Sequence, residues 1–147
     1  MTHPLLALQA ADTMAGQLRH RREHLAERDA LAAAHAVLAE ADAKIAAVEQ
    51  RIAELTAEIE ADEARGHALG AQRTRLEAQL KTVMAIRAAE ALQHELETIA
   101  AERDALDDAE LAALDEQAQL DDELAALTGA RPALHAACVD AQAALDA

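Results

Sequence analysis

The chain lacks the side chains from which globular cores are usually built. Its 147 residues include no Phe, Tyr or Trp, and they include no Ser or Asn either. Apolar residues make up 52% of the sequence, but 43 of the residues are the small Ala. Such alanine-rich sequence forms helices with thin apolar seams. Because only four Gly and two Pro interrupt it, we predict that nearly the whole chain is α-helical and contains no strands.

The residues that most catalytic and cofactor sites need are also scarce. The single cysteine, Cys138, excludes an internal disulfide and a four-cysteine zinc site. Because there is no Ser and Cys138 lies on a helical seam, the sequence offers no hydroxyl or thiol nucleophile with a base beside it. It also has no Gly-rich phosphate loop. We therefore predict that the protein is not an enzyme and that this chain binds no cofactor.

One short stretch has the residue order of a zinc site. Residues 20–24 read His-Arg-Arg-Glu-His, the zinc-ligand order of the inverted metallopeptidase motif. Three of the residues 19–22 are arginines, which oppose a divalent cation, and no further ligand is evident. A thin helical protein also offers no pocket that excludes water. We interpret His20, Glu23 and His24 as part of a solvated basic helix face and predict no metal site.

Features of membrane and secreted proteins are missing as well. No run of 18 apolar residues is free of charge, and the N-terminal Met-Thr-His-Pro-Leu-Leu has neither the basic region nor the apolar region of a signal peptide. A lone thiol suits a reducing compartment. We expect a cytoplasmic protein that does not bind membranes.

Charge is distributed unevenly along the chain. The net charge is −15, and residues 101–147 contain 12 acidic but only two basic residues. Two basic clusters stand out against this background. One comprises Arg73, Arg75, Lys81 and Arg87, and the other comprises Arg19, Arg21, Arg22 and Arg28. Because an acidic helix pair repels polyanions, a nucleic acid would have to bind at one of these clusters.

Two runs of regularly spaced apolar residues predict a coiled coil. The first extends from Leu31 to Val83 with 3,4 spacing, and the second repeats every seven residues from Leu92 to Leu134. The second run cannot be reached from the first in steps of seven. A straight helix would therefore turn its apolar stripe away from its partner, whereas a reversal of the chain makes the two stripes face each other. We predict an all-α fold, a long antiparallel coiled-coil helical hairpin.

The predicted hairpin is a single domain that covers residues 1–147. Its parts are an N-terminal helical segment (4–25), an outgoing helix (29–83), a tip (81–89) and a returning helix (89–147). The stripe that contains Leu8 and Leu18 is one residue out of phase with Leu31, which predicts a kink or short break at residues 26–29 and thus a kinked N-terminal helix. Gly129 and Pro132 predict a second kink near 129–132.

A different position for the reversal stays open at this point. Gly66 and Gly70 lie in an Arg-Gly-His-Ala-Leu-Gly stretch that resembles a loop. The seam keeps one heptad phase across both glycines, however, which favours a continuous helix and a turn at residues 81–89. That predicted tip contains no Gly or Pro.

Polar residues on the seam are predicted to set the register of the two helices. A reversal near Ala85 pairs residue i with roughly residue 170 − i. Asp62 then approaches Arg103 or Leu106, and Arg73 approaches Leu96 and Glu97. Polar seam residues lower stability but fix the register of a coiled coil. We therefore predict that Asp62, Arg73 and Arg103 are register-setting residues.

Several short motifs follow one another in an order that resembles a known family. The first are Leu8-Gln9, Asp12-Thr13, Gln17-Leu18, His-Arg-Arg at 20–22 and Leu-Ala-Glu-Arg at 25–28. Later ones are Ala-Leu-Gln-His-Glu-Leu at 91–96 and Leu-Asp-Asp-Ala-Glu-Leu at 106–111. Over residues 5–127 the chain resembles the hairpin part of the bacterial coiled-coil proteins that end in a C4-type zinc ribbon.

The resemblance implies a cytoplasmic adaptor that binds a flagellar-regulon sigma factor, transcripts or secretion components. The given sequence ends at Ala147 without the two cysteine pairs of the ribbon, so zinc is expected only with a ribbon beyond that residue. Two local motifs also differ. The family's Leu-Pro-Glu kink is replaced by residues 25–27 (Leu-Ala-Glu), and its Glu-aromatic pair after the tip is replaced by Ala88-Ala89.

Two functions fit the sequence. The first is a non-enzymatic adaptor or scaffold that binds a protein, such as a sigma factor or a secretion component; the alternative is direct binding of RNA or DNA. Both would use the arginine cluster at 19–28 or the tip, and association of two copies is left open. The predicted tip surface comprises Arg73, Arg75, Lys81, Val83, Met84, Ile86 and Arg87.

Overall fold

The structure is a computed structural model that describes residues 3–147. It consists of helix α1 (Pro4–Thr82) and helix α2 (Ile86–Asp146), and no strand occurs within the described range. Ala, Leu, Glu, Gln and Arg dominate both helices, and these are the residues with the highest helix propensity. The two helices form an antiparallel hairpin, so the predicted all-α fold is confirmed.

The chain reverses over three residues, Val83 to Ala85, which lie within the predicted interval 81–89. The Val83 N–H donates to the Gln79 carbonyl at 3.0 Å, and the Ala89 N–H donates to the Ala85 carbonyl at 3.0 Å. Helical hydrogen bonding therefore continues up to the turn on both sides. The outgoing helix ends one residue before Val83, and the returning helix begins three residues before the predicted position 89.

The rival turn at the glycines does not form. Gly66 and Gly70 both lie inside α1, and no glycine in the described range has a positive φ. The helix also continues through residues 26–29, so the phase slip there causes no break. Pro132 lies inside α2, which continues past it although proline has no N–H to donate to the preceding turn.

The chain divides into two compact units, each formed by parts of both helices. The terminal unit comprises Met1–Ala46 and Ala126–Ala147, and the tip unit comprises Ala47–Ala125. In the terminal unit, Ala41 and Cys138 are the buried seam residues, while Leu38 and Leu134 are half-buried. Small side chains thus occupy the most protected positions there.

The tip unit has the larger apolar seam. Leu55 and Leu69 are each only 1% exposed. Three buried residues, Leu69, Leu76 and Ile99, form a cluster against which Leu92, Leu96 and Leu106 pack. Leucines from both helices interdigitate in this cluster, as expected where two apolar stripes face each other.

The ion pairs between the helices lie beside the seam, and one further hydrogen bond starts from Gln117, which lies on it. In the tip unit, Arg51 bonds to Glu116, Arg65 bonds to Glu102, and the Gln117 Nε2 donates to the Thr56 hydroxyl at 3.0 Å. The two residue numbers add to 167 in both Arg–Glu pairs and to 173 in the Gln117–Thr56 pair. These values lie on either side of the predicted 170.

The three predicted register-setting residues occupy different surroundings. Asp62 and Arg103 line the same groove, but no ion pair joins them within the described range. Arg73 pairs with Glu77 of its own helix at 2.8 Å instead of reaching across to α2. Charges at the half-exposed edges of the seam keep contact with water, which avoids the desolvation cost of a buried ion pair.

Candidate partner-binding site

The turn presents apolar side chains to solvent. Met84, the central residue of the turn, is 98% exposed, and Ile86, the first residue of α2, is 77% exposed. Val83 is half-buried. Exposed apolar side chains that lie together and are surrounded by polar residues are typical of a contact site. Methionine is well suited to such a site because its flexible side chain adapts to different partners.

Positive charge surrounds this apolar turn. Arg75, Lys81 and Arg87 are exposed and form no ion pair with any residue in the described range. Arg73 differs, because its Nε donates to the Glu77 carboxylate at 2.8 Å. Three of the four basic residues predicted for the tip are therefore available to a partner, whereas Arg73 is already paired.

The second predicted cluster lies on one helix of the terminal unit. The Arg19 Nε donates to the Ala15 carbonyl at 3.3 Å, while Arg21, Arg22 and Arg28 have no carboxylate partner among the residues described. Leu18 and Leu25, which lie in the same stretch, are 60% and 59% exposed. The cluster thus combines free arginines with uncovered leucines.

The histidines of the predicted zinc-like motif are close neighbours. The ring centroids of His20 and His24 are 4.5 Å apart with an interplanar angle of 88°, and the His24 Nδ1 lies 3.6 Å from the Glu27 carboxylate. Within residues 3–147, no group of three or more His, Cys, Asp or Glu side chains is arranged to hold a metal ion.

Two grooves were missed by the sequence analysis. In the terminal unit, a groove of about 550 Å³ brings His35 and His135 together with Cys138. The residue numbers 35 and 135 add to 170, so the predicted register already placed these histidines opposite each other. This was the signal that could have revealed the groove.

The second missed groove lies in the tip unit beside the two glycines. It has a volume of about 580 Å³, and its lining includes Gly66 and Gly70 of α1 together with Leu106 of α2. A Cβ atom added to either glycine would meet nothing within 4 Å. The sequence around these glycines suggests only a possible turn, but in the folded hairpin they leave open space on the surface.

Two carboxylates that accept two-pronged hydrogen bonds across the two helices have a lowered pKa. A hydrogen bond from Arg51 lowers the pKa of Glu116, and one from Arg131 lowers the pKa of Asp42. The same bonds raise the pKa of both arginines. These four groups stabilise the hairpin and do not form part of the basic surfaces.

The comparison with protein families identifies the type of domain. Residues 8–147 match the family described as CT398-like coiled coil hairpin domain. Comparisons with curated proteins and with solved structures found no match. No helix in the described range has a segment long and apolar enough to cross a membrane. A coiled-coil hairpin is a structural module suited to protein interaction, and both the matched range and the observed fold agree with this type of domain. The chain therefore belongs to the family of CT398-like coiled coil hairpin domains.

Proposed function

We propose that the protein is a non-enzymatic coiled-coil adaptor whose tip binds an acidic surface on a protein partner. The observation that carries this proposal is the exposure of Met84 and Ile86 between the unpaired cations Lys81 and Arg87. An apolar centre surrounded by charge is the usual composition of a protein interface. The tip is also the part of the tip unit where the two seams end, so these side chains have no helix to cover them.

Charge supports an acidic partner. Residues 101–147 carry 12 acidic and two basic residues, so the returning helix repels a partner with an acidic surface. Complementary charge steers association and suppresses contacts at the wrong place. A partner of this kind would be directed towards the basic tip. The resemblance of the sequence to adaptors with a zinc ribbon supports a cytoplasmic partner in transcription or secretion, such as a sigma factor or a secretion component.

Direct binding of nucleic acid is the alternative. The free Arg75, Lys81 and Arg87 favour it, because basic residues contact phosphates. Two features oppose it. The chain has no aromatic side chain on which bases could stack, and its net charge of −15 repels a polyanion over most of its surface.

Charge reversal at the tip tests the proposal. The variant Arg75→Glu, Lys81→Glu and Arg87→Glu should keep its helicity in circular dichroism, because all three side chains are exposed. In affinity capture from cells that naturally contain the protein, it should lose a partner that the unchanged protein retains. Retention by the unchanged protein should fall as salt is raised.

The matched control reverses three exposed acidic residues of α2, with the changes Asp121→Lys, Asp122→Lys and Glu123→Lys. It should retain the partner. Equal loss from both variants would contradict a tip-directed contact. Fluorescence anisotropy with a labelled single-stranded RNA provides the second readout, since tip-dependent binding of RNA without capture of a protein would support the alternative function.

A further inference from the structure

The N-terminal arm, defined as residues 4–28 of α1, has an uncovered apolar surface. Every residue from 4 to 23 except Ala15 is exposed. The exposed fractions of its five leucines and of Met14 all lie between 59% and 68%. Three of them, Leu8, Leu18 and Leu25, share one side of the helix, and exposed apolar side chains that lie together are typical of an interaction site.

The spacing of the arm's residues gives this surface a defined shape. One helix face is formed by residues with spacings of 3, 4, 3, 4 and 3, namely Leu8, Ala11, Ala15, Leu18, Arg22 and Leu25, so one arginine lies between the leucines of the stripe. Its central alanines would allow another helix to come close, with leucines on both sides of the contact. Arg21 and Arg28, one heptad apart, follow Leu18 and Leu25 by three residues and so lie beside this face. The arm is an apolar stripe with a basic edge.

The groove beside Gly66 and Gly70 in the tip unit, called the glycine groove below, is complementary to the arm in shape and in charge. Its floor is open because neither Gly66 nor Gly70 carries a side chain and, apart from the local backbone of α1, nothing lies within 4 Å of where their Cβ atoms would be. Next to it, Leu111 and Leu114 of α2 are 62% and 43% exposed. They line a second, smaller groove together with Asp107, which also lines the glycine groove. The groove is therefore continuous with an exposed apolar patch.

Acidic side chains border this combined surface. Arg103 lines the groove as well, but the carboxylates outnumber it, and none of them forms an ion pair with a residue of the described chain. These carboxylates belong to Asp62, Glu63, Asp107 and Glu110. The groove thus offers space, apolar contact and unpaired negative charge at one place.

We propose that the N-terminal arm of one copy binds in the glycine groove of a second copy of this chain. The leucines of the arm fill the space above Gly66 and Gly70 and contact Leu111 and Leu114, as knobs fill holes in a coiled coil. The arginines on the edge of the arm meet the unpaired carboxylates of the groove. Packing groove against groove is disfavoured, because it would bring like charges together.

A charge-swap experiment tests this contact. The arm variant carries Arg21→Glu and Arg28→Glu, and the groove variant carries Glu63→Lys and Asp107→Lys. All four side chains are exposed, so both variants should fold, which circular dichroism checks. The unchanged protein should self-associate in sedimentation velocity at micromolar concentration and low salt. Each variant alone should associate about tenfold more weakly or worse, since its arm and groove then have charge of the same sign.

The mixture of the two variants is the decisive sample. An acidic arm then meets a basic groove, and a basic arm meets an acidic groove, so association should return to the level of the unchanged protein. Failure of the mixture to associate would overturn the proposal, and so would an unchanged protein that stays monomeric at low salt. The control variant Asp121→Lys and Asp122→Lys changes the same amount of charge as the groove variant but lies outside the groove, and it should associate normally.

The arm could instead bind an anionic membrane, and co-sedimentation with vesicles that contain an anionic lipid measures this. Two results together would overturn the proposal: the unchanged protein is monomeric, and it sediments with the vesicles whereas the arm variant does not.

The tip residues belong to neither the arm nor the groove. The tip variant should therefore self-associate normally, so the arm contact and the proposed adaptor function can fail independently of each other.

Discussion

Arg51 forms a two-pronged ion pair with Glu116 across the hairpin. The Arg51 Nε donates to the Glu116 Oε1 at 2.8 Å, and its Nη2 donates to Oε2 at 3.0 Å. The remaining Nη1 donates to Glu58 of α1 at 3.1 Å. The same Nη1 also donates to Glu54 of α1 at 3.4 Å. The two-pronged bond to Glu116 favours a single register, because only one alignment of the helices allows both prongs. Arg131 bonds to Asp42 in the same two-pronged way in the terminal unit.

The Arg51–Glu116 bond should make stability depend on pH. The pKa of Glu116 is lowered from its ordinary value of 4.5, chiefly by the hydrogen bond from Arg51. A carboxylate with a lowered pKa in the folded state contributes stability that is complete above its unfolded value and is lost as the pH falls through the folded value. The free energy of unfolding should therefore be higher for the unchanged protein than for Glu116→Gln at neutral pH.

That difference should shrink below about pH 4.5 and vanish once Glu116 is protonated. Urea titrations at a series of pH values measure it. Glu123→Gln is the control, because this exposed carboxylate has no arginine partner in the described chain. The assigned bond would be contradicted if the difference in free energy of unfolding between the unchanged protein and Glu116→Gln stayed constant down to the lowest pH.

Burial on the seam predicts which leucines matter for stability. Leu55 is 1% exposed, whereas Leu111 is 62% exposed and lies in the same unit. Leu55→Ala should lower the free energy of unfolding by about 2–5 kcal/mol, because it removes buried methylene groups and leaves a cavity. Leu111→Ala should change it by less than about 0.5 kcal/mol, as is usual for surface substitutions. If chemical denaturation showed that both variants lose a similar amount of unfolding free energy, Leu55 would not lie on the seam.

The position of the turn predicts a specific disulfide. Leu76 and Leu92 belong to the same apolar cluster, on opposite helices. In a Cys138→Ala background, Leu76→Cys with Leu92→Cys should therefore cross-link rapidly within one chain under mild oxidation. Leu55→Cys with Leu80→Cys should not cross-link, because both residues lie on α1. They are 25 residues apart, which corresponds to about 37 Å along the helix. Gel mobility under non-reducing conditions distinguishes the two pairs.

The glycines of the groove should have opposite effects on folding and on association. Gly66→Ala and Gly70→Ala should each stabilise the hairpin by about 0.5–1 kcal/mol, because alanine is the better helix former and its methyl group meets no atom. The same methyl groups should weaken self-association by filling the groove. Thermal denaturation at low protein concentration and sedimentation velocity measure the two effects. Gly129→Ala also has open space at its Cβ and should stabilise without changing association.

The sequence by itself determined the class of fold and the path of the chain. An alanine-rich composition without aromatics favours helix, and the loss of heptad phase between Val83 and Leu92 indicates a reversal. Both follow from local propensity and from periodicity, which can be counted along a chain. The same counting correctly kept Gly66 and Gly70 inside a helix, because the seam stayed in phase across them.

The tertiary structure decided which side chains meet. Asp62, Arg73 and Arg103 occupy seam positions, but the ion pairs between the helices in the tip unit come from Arg51, Arg65 and their partners at the edges. Long flexible side chains can reach several neighbours, so heptad position alone does not select a partner. Open surface is equally invisible in one dimension. The free space above the glycines, the groove at Cys138 and the full exposure of Met84 each depend on what the opposite helix covers and what it leaves uncovered.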